Sequence, residues 1–127
     1  MSDRFVHSGD KEPRVTLVKL NLWSKETMCG IVAAISSRSV VDRIAAGLIR
    51  LEYRGYDSVG VCIQDSQSKH QIVKRVGKVK AVVPEFKSSP LLKGTTGIGH
   101  TRWATHGAVT ELNAHPHISG PVAVVHN

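Results

Sequence analysis

Hydrophobic positions between residues 30 and 55 follow two different periods. The run GIVAAI at 30–35 is continuously apolar, which is typical of a buried strand. Beyond it, apolar residues recur at helical spacing and form a stripe of Val40, Val41, Ile44, Ala45, Leu48 and Leu51. Ser39 and Asp42 have the spacing of a capping box, and Gly55 lies just past the expected helix end. We predict a strand at 30–35 and a helix that Ser39 opens.

The rest of the chain predicts mostly strands. Apolar and β-branched residues favour strands at 59–64, 71–76, 95–103 and 121–125. The polar linker 65–70 suits a hairpin between the first two, whereas Pro84 and Pro90 indicate a connecting region. The predicted class is α+β, with strands outnumbering helices.

The first 27 residues differ in character from the remainder of the chain. A loop is indicated by Ser8-Gly9-Asp10 and Pro13, and only 15–23 is apolar enough to resemble a strand. A chain of 127 residues suffices for one small domain. We therefore expect a loosely ordered extension at 1–28 and a domain at 29–127.

Composition limits the function classes. The formal net charge of +7 and a pI near 9.8 suit an anionic partner such as nucleic acid or a phosphorylated metabolite. The basic residues are scattered, however, and aromatic residues are few, which favours an ordinary solvated surface without nucleic acid. The sequence contains neither an 18-residue apolar stretch nor the apolar core of a signal peptide. Two cysteines form no disulfide framework or zinc site, so we expect a cytoplasmic protein away from membranes.

Cys29 is the first candidate for chemistry. No His or carboxylate within six residues of it could serve as its base through local geometry. If Met28 were removed, the α-amine of Cys29, with an ordinary pKa of about 7.7–8.0, would serve as the base for its own thiol. The alternative is a small apolar residue at the start of a strand. Spacing alone favours that alternative.

The segment Gly99–Gly107, GHTRWATHG, is the second candidate. Arg102 suits a bidentate grip on a carboxylate, and Thr105 and His106 add polar groups nearby. The density of polar side chains after an apolar strand suits a binding loop. A surface loop with a stacked Arg–Trp pair fits the same residues.

Three shorter motifs carry weaker signals. His115 and His117 suit metal only if a third ligand joins them, so a turn around Pro116 is the better interpretation. The motif RGYDS at 54–58 is a substrate loop or a helix exit with an Asx turn. Asn127 carries an amide of the kind found in oxyanion holes.

Taken in order, these motifs carry a resemblance to a known family. The segments CGIV at 29–32, LEYRGYDS at 51–58, GHTRWATHG at 99–107, NAHPH at 113–117 and VVHN at 124–127 resemble the start of the glutamine–fructose-6-phosphate aminotransferases. Other class II glutamine amidotransferases, such as amidophosphoribosyltransferase, share the Cys-Gly start and an Arg-Gly-x-Asp-Ser element. The WATHG and NAHPH elements favour the aminosugar enzymes.

The resemblance implies roles for individual residues. Cys29 matches the N-terminal nucleophile with its α-amine as general base, and Asn127 matches the oxyanion-hole asparagine. Residues around the glutamine site are matched by Arg102, Trp103, Thr105 and His106, with Arg102 gripping the α-carboxylate. Apart from the resemblance, the substrate-loop interpretation of RGYDS predicts Arg54 and Tyr56 as loop contacts.

The resemblance also implies a fold and a reaction. The fold would be part of the αββα sandwich of N-terminal nucleophile hydrolases. Glutamine would be hydrolysed through a γ-glutamyl thioester, without metal or organic cofactor, and the ammonia would convert fructose 6-phosphate to glucosamine 6-phosphate in other domains. Full-length relatives are expected to be homo-oligomers.

Two departures from the family pattern accompany the resemblance. The cysteine is residue 29 rather than the first residue, which suggests a misassigned start, a cleaved propeptide or an inactive relic. The family continues beyond the residue matching Asn127, with the glycine that completes the oxyanion hole and the aspartate that binds the glutamine amino group. We therefore expect an incomplete glutaminase domain of low stability in isolation, and a non-catalytic fragment is the alternative function.

Overall fold

A computed structural model describes residues 28–127. The predictions for residues 1–27, including the strand at 15–23, lie outside these residues. The elements follow in the order β1 (Gly30–Ile35), α1 (Val41–Leu51), a 3₁₀ turn (Glu52–Arg54), β2 (Ser58–Gln64), β3 (His70–Val76), α2 (Val79–Ser88), β4 (Thr96–Arg102), β5 (His117–Ser119) and β6 (Val122–Val124). The predicted mixture of helix and sheet, with more strands than helices, is confirmed over this part of the chain.

The main sheet has four antiparallel strands in the order β1-β4-β2-β3. β1 pairs with β4 so that Gly30 lies opposite Thr101, and β2 pairs with β4 so that Ser58 lies opposite Arg102. The start of β1, the start of β2 and the end of β4 therefore meet at one edge of the sheet. The second sheet is the small ribbon of β5 and β6.

Both helices cover one face of the main sheet. Apolar residues of the sheet and the helices form one core, whose largest fully buried members include Ile44, Leu48, Ile63 and Phe86. Gly97 and Gly99 of β4 face this core, and a Cβ on either would collide with Ile44. Glycine in β4 thus lets α1 approach the centre of the sheet.

The opposite face carries the segment 113–117. The carbonyl oxygen of His115 lies so close to Gly60 of β2 that a Cβ there would be 2.1 Å from it. The ring of His115 also stacks on His100 of β4. These two contacts fix the segment on the sheet, and its His115–Pro116 peptide bond is cis.

Two local predictions were wrong. Ser39 does not cap α1: the N-cap residue is Val40, without a side-chain hydrogen bond. The fully buried Val40 side chain and a hydrogen bond from its N–H to the Gly94 carbonyl fix the helix start instead. The region of Pro84 is helical, because a buried stripe of Val79, Val82, Val83 and Phe86 outweighs one exposed proline.

The helices of the described part are too short to cross a bilayer. α1 and α2, with 11 and 10 residues, are the two α-helices between residues 28 and 127, and neither meets the length of a membrane span.

Candidate active site

Cys29 lies immediately before β1, beside the end of β4. The Trp103 backbone N–H donates a hydrogen bond to the half-buried Cys29 Sγ over 3.3 Å, and the thiol points back to the Trp103 carbonyl at 3.7 Å. The Gly30 N–H donates to Thr101 Oγ1 over 3.1 Å. Antiparallel pairing therefore brings the thiol to the first residue of the 103–107 loop, although 74 positions separate them in sequence.

Gly30 is required for this approach. A Cβ at Gly30 would lie 2.7 Å from Leu51 Cβ and 2.7 Å from Thr101 Oγ1. Because separations under about 3 Å are strongly repulsive, a side chain here would push β1 away from α1 or β4. The glycine after the cysteine thus has a packing reason in addition to its place in the motif.

Asp57 attaches the 103–107 loop to the start of β2. Its carboxylate accepts a short hydrogen bond from the Ala104 N–H and another from Ser58 Oγ at 2.8 Å. The Asp57 N–H donates to the Arg102 carbonyl over 3.2 Å. No functional role was predicted for Asp57, although it stands inside the RGYDS motif. The helix-exit interpretation of that motif treated the carboxylate as a local turn former, whereas its partner lies 47 positions away.

Arg102 organises the same loop from inside. Its side chain is buried, with one terminal nitrogen donating to the Ala108 carbonyl over 3.0 Å and the other to the His106 carbonyl over 2.5 Å. The predicted stacked pair of Arg102 and Trp103 is not the arrangement found. The Trp103 ring instead meets Tyr56 edge to face, with ring centroids 4.9 Å apart.

The remaining predicted residues lie around this centre. Thr105 and His106 are exposed on the loop, where Thr105 Oγ1 is 3.1 Å from His106 Nδ1. Arg54 is half-buried in the 3₁₀ turn. Asn127 is exposed, and no hydrogen bond joins it to Cys29 in the part of the chain that the structure describes. The structure thus brings Cys29, Trp103 and Tyr56 together.

The second cysteine has a different environment. Cys62 is buried in β2, and burial raises the pKa of its thiol. Both cysteines are free thiols. Because thiolates rather than thiols are nucleophiles, Cys62 is the inert cysteine and Cys29 the candidate for chemistry.

Four histidines form a cluster behind the site. His100 stacks on His115 with centroids 4.4 Å apart, and His115 meets His117 edge to face at 4.4 Å. His100 and His115 also bond the backbone of His126. Among residues 28–127, no group of three or more His, Cys, Asp or Glu residues could hold a metal ion.

Burial keeps two of these imidazoles neutral. It lowers the pKa of His100 to about 4, with a smaller contribution from the nearby His115. Burial also lowers the pKa of His115 to about 4, and His117 adds to the effect. In an unfolded chain, both groups would titrate near 6.5.

The cluster predicts that acid destabilises the fold. Between pH 6.5 and about 4 the unfolded chain binds protons that the folded chain excludes, so the free energy of unfolding must fall as the pH falls. For His100 alone the loss approaches about 3 kcal/mol by pH 4. Urea unfolding at pH 7, 6, 5 and 4 measures this decrease in the free energy of unfolding. The variant His100→Gln should show a shallower dependence, and an unchanged free energy across this range would contradict the prediction.

Comparison with known proteins identifies relatives of this chain. No protein-family model matches it. Over 100 residues, it is 58% identical to the glutamine–fructose-6-phosphate aminotransferase (isomerizing) of Haemophilus ducreyi, 55% identical to that of Haemophilus influenzae and 50% identical to that of Aliivibrio fischeri. Each match covers 79% of this chain and 16% of the relative. The chain is homologous to the N-terminal part of these enzymes, and the resemblance in the sequence is confirmed.

Proposed function

We propose that residues 29–127 of this homologue of the glutamine–fructose-6-phosphate aminotransferases take part in releasing ammonia from glutamine, with Cys29 as the nucleophile. The observation that carries the proposal is the position of the Cys29 sulfur, 3.3 Å from the backbone nitrogen that opens the 103–107 loop. Arg102 and Asp57 hold that loop from two sides. A free thiol at the start of a hydrogen-bonded polar loop suits acyl transfer to sulfur.

The chemistry uses one residue as both nucleophile and base. With its α-amine free, Cys29 transfers the thiol proton to its own nitrogen, and the sulfur attacks the side-chain carbonyl carbon of glutamine. The amine then gives its proton to the departing nitrogen, which leaves as ammonia. Water, deprotonated by the same amine, cleaves the γ-glutamyl thioester to glutamate and restores the thiol. An amide nitrogen is not a base, so the mechanism requires that the Met28–Cys29 bond be absent.

Arg102 is the proposed partner of the glutamine α-carboxylate. Two of its N–H groups bond to the His106 and Ala108 carbonyls, which leaves further donors of the guanidinium for a ligand. Its buried position beneath the loop makes a charge-assisted bond strong. Thr105 and His106 stand on the same loop and complete the proposed glutamine site, with Trp103 supporting it.

Asn127 is proposed to donate its amide N–H to the oxyanion of the tetrahedral intermediate. A donor of this kind stabilises charge that exists only during reaction. Tyr56 and Arg54 are proposed as contacts on the other side of the loop, where Tyr56 already packs on Trp103.

For the whole protein, we propose that the released ammonia is used in a sugar reaction. The relatives are named as aminotransferases that act on glutamine and fructose 6-phosphate and isomerise. Because this chain spans 16% of their length, the sugar reaction is assigned to parts of the protein outside the matched region. Homo-oligomers are proposed for the complete protein.

A chimera tests the glutaminase proposal. The matched region of the Haemophilus influenzae relative is replaced by residues 28–127 of this chain, and intact mass verifies that Met28 has been removed. The relative supplies its own remaining length. Release of glutamate from glutamine supports the proposal, whereas a folded chimera that releases none would favour the non-catalytic alternative.

In this chimera, Arg102→Lys should weaken glutamine binding. Lysine keeps the charge but loses the planar fork, and it cannot hold both loop carbonyls and a carboxylate. We expect KM for glutamine to rise by about tenfold to a hundredfold, with a smaller effect on kcat. The control is Arg75→Lys, at a surface arginine that pairs with Glu85 and should change neither constant. An unchanged KM in Arg102→Lys would refute this role.

A further inference from the structure

His100 presents a buried polar ring that the proposed chemistry does not use. Its side chain is fully buried, and its Nε2 lies 2.8 Å from the carbonyl oxygen of His126. Because a carbonyl only accepts hydrogen bonds, Nε2 must carry the proton. The neutral ring then has a bare Nδ1, and this atom is buried without a hydrogen-bond partner. An apolar side chain at position 100 would avoid the cost of burying an unpaired nitrogen, so we expect the imidazole ring to have a function.

His115 binds the second backbone polar group of His126, its N–H. The His126 N–H donates to His115 Nδ1 over 3.4 Å, while the His115 ring lies nearly parallel to His100 at a centroid distance of 4.4 Å. The two stacked rings therefore hold both the N–H and the carbonyl of His126. We call this arrangement the histidine clamp: His100, His115 and the backbone of His126.

The clamp itself has rigid support. His100 lies in the central part of β4, which pairs on both sides with β1 and β2. The His115 backbone is seated against Gly60 of β2, where no side chain intervenes. The strands β5 and β6, which join His117 to Val124, return the chain from His115 to His126.

We propose that His100 and His115 are positioning residues that set the backbone of His126 and so aim Asn127 during the reaction. The inference rests on the proposed function, in which Asn127 donates to the oxyanion. Because Asn127 follows His126 directly, the peptide that the clamp holds fixes where its Cα can lie. An oxyanion donor must be placed within a fraction of an ångström, and a support on the central strand of the sheet supplies that precision.

The clamp requires both imidazoles to be neutral. A proton on His115 Nδ1 would convert the acceptor into a donor that faces the His126 N–H. A proton on His100 Nδ1 would add a buried charge without a partner. The cationic and titratable groups around the two rings are Lys74, Arg102, His117 and His126. The charges of Arg102 and His117 oppose protonation of both rings, those of Lys74 and His126 oppose protonation of His115, and the hydrogen bond to the His126 carbonyl acts in the opposite direction on His100. Burial, with these charges adding to it, lowers the pKa of both rings, in agreement with a clamp that stays neutral near pH 7.

The first test measures the clamp without any activity. In the full 127-residue chain labelled with ¹⁵N, we expect His100 protonated on Nε2, His115 bare on Nδ1 and the His126 amide protected from hydrogen exchange. His100→Leu removes the partner of the His126 carbonyl and should lower the protection of the His126 amide by loosening this backbone, whereas His100→Gln, whose Nε2 donor reaches a similar position, should retain much of it. Rapid exchange of the His126 amide in the wild-type chain would overturn the clamp.

The second test measures the effect of the histidine clamp on glutamate release by the chimera that carries residues 28–127. His100→Leu should lower kcat for glutamate release by at least about tenfold, while KM for glutamine stays within about twofold. His100→Gln should restore most of kcat. His117→Gln is the control, because His117 touches His115 but does not bond to His126. It should behave as wild type.

The outcomes separate the two levels of the proposal. A wild-type chimera without glutaminase activity would remove the proposed function, while the ¹⁵N measurement would still decide the clamp. An active chimera in which His100→Leu keeps wild-type kcat would overturn the positioning role. Equal losses of kcat in the Leu and Gln variants would do the same, because they would indicate a general need for the ring.

Discussion

Cys29→Ala is expected to abolish glutamate release by the chimera that carries residues 28–127, with a loss of at least about a thousandfold in kcat. The sulfur is the atom that forms the thioester, and the alanine methyl group cannot replace it. Binding of glutamine should survive, because the Arg102 loop is attached through Asp57 as well as through the Trp103–Cys29 contact. The measurement is glutamate formed per enzyme, together with glutamine binding by calorimetry.

Two controls make this result specific. Cys62→Ala removes the other thiol, which is buried in β2, and should leave glutamate release close to wild type. A second chimera that retains residues 1–28 ahead of Cys29 should be inactive, because its Cys29 nitrogen is an amide. Full activity in Cys29→Ala, or in an extended chimera whose intact mass shows that residues 1–28 are still attached, would contradict the proposed use of the thiol and its own amine.

Gly60→Ala is expected to cost at least about 2 kcal/mol in the free energy of unfolding. A Cβ at this position would lie 2.1 Å from the His115 carbonyl oxygen, a backbone atom that cannot move without the whole 113–117 segment. The segment would lift from β2 and carry His115 away from His100. Urea unfolding of the 127-residue chain measures the loss.

The matched control is Gly97→Ala on β4. There the new Cβ meets the ends of the Ile63 and Ile44 side chains at 2.5 and 2.7 Å, and such ends move more cheaply than backbone. We expect a smaller loss of stability than in Gly60→Ala. Equal stability of Gly60→Ala and wild type would show that the 113–117 segment does not sit on β2.

Local sequence patterns predicted much of the main sheet. The apolar run at 30–35 forms β1 with the predicted bounds, and the polar linker after Gln64 does join two antiparallel strands. These elements were predictable because their burial depends on side chains within the same short segment. The helix around Pro84 was not, because its stripe of valines and Phe86 acquires meaning only from the neighbours that bury it.

The candidate site was likewise predictable from the sequence only in part. Motifs drew attention to Cys29, Arg102 and the 103–107 loop, whereas strand pairing alone reveals that the thiol lies against Trp103. The roles of Asp57 and His100 were missed, since their partners are backbone groups 47 and 26 positions away. No periodicity in a sequence encodes such long-range bonds to the main chain.

Trapping the covalent intermediate tests whether Cys29 is the nucleophile. The chimera is mixed with glutamine, quenched in acid within its turnover time and digested. The mass of the peptide that begins at Cys29 is then measured by mass spectrometry. We predict that this peptide gains the mass of one γ-glutamyl acyl group and that the gain disappears in Cys29→Ala. Glutamate release without any adduct on Cys29, or with the adduct on another residue, would contradict the central claim.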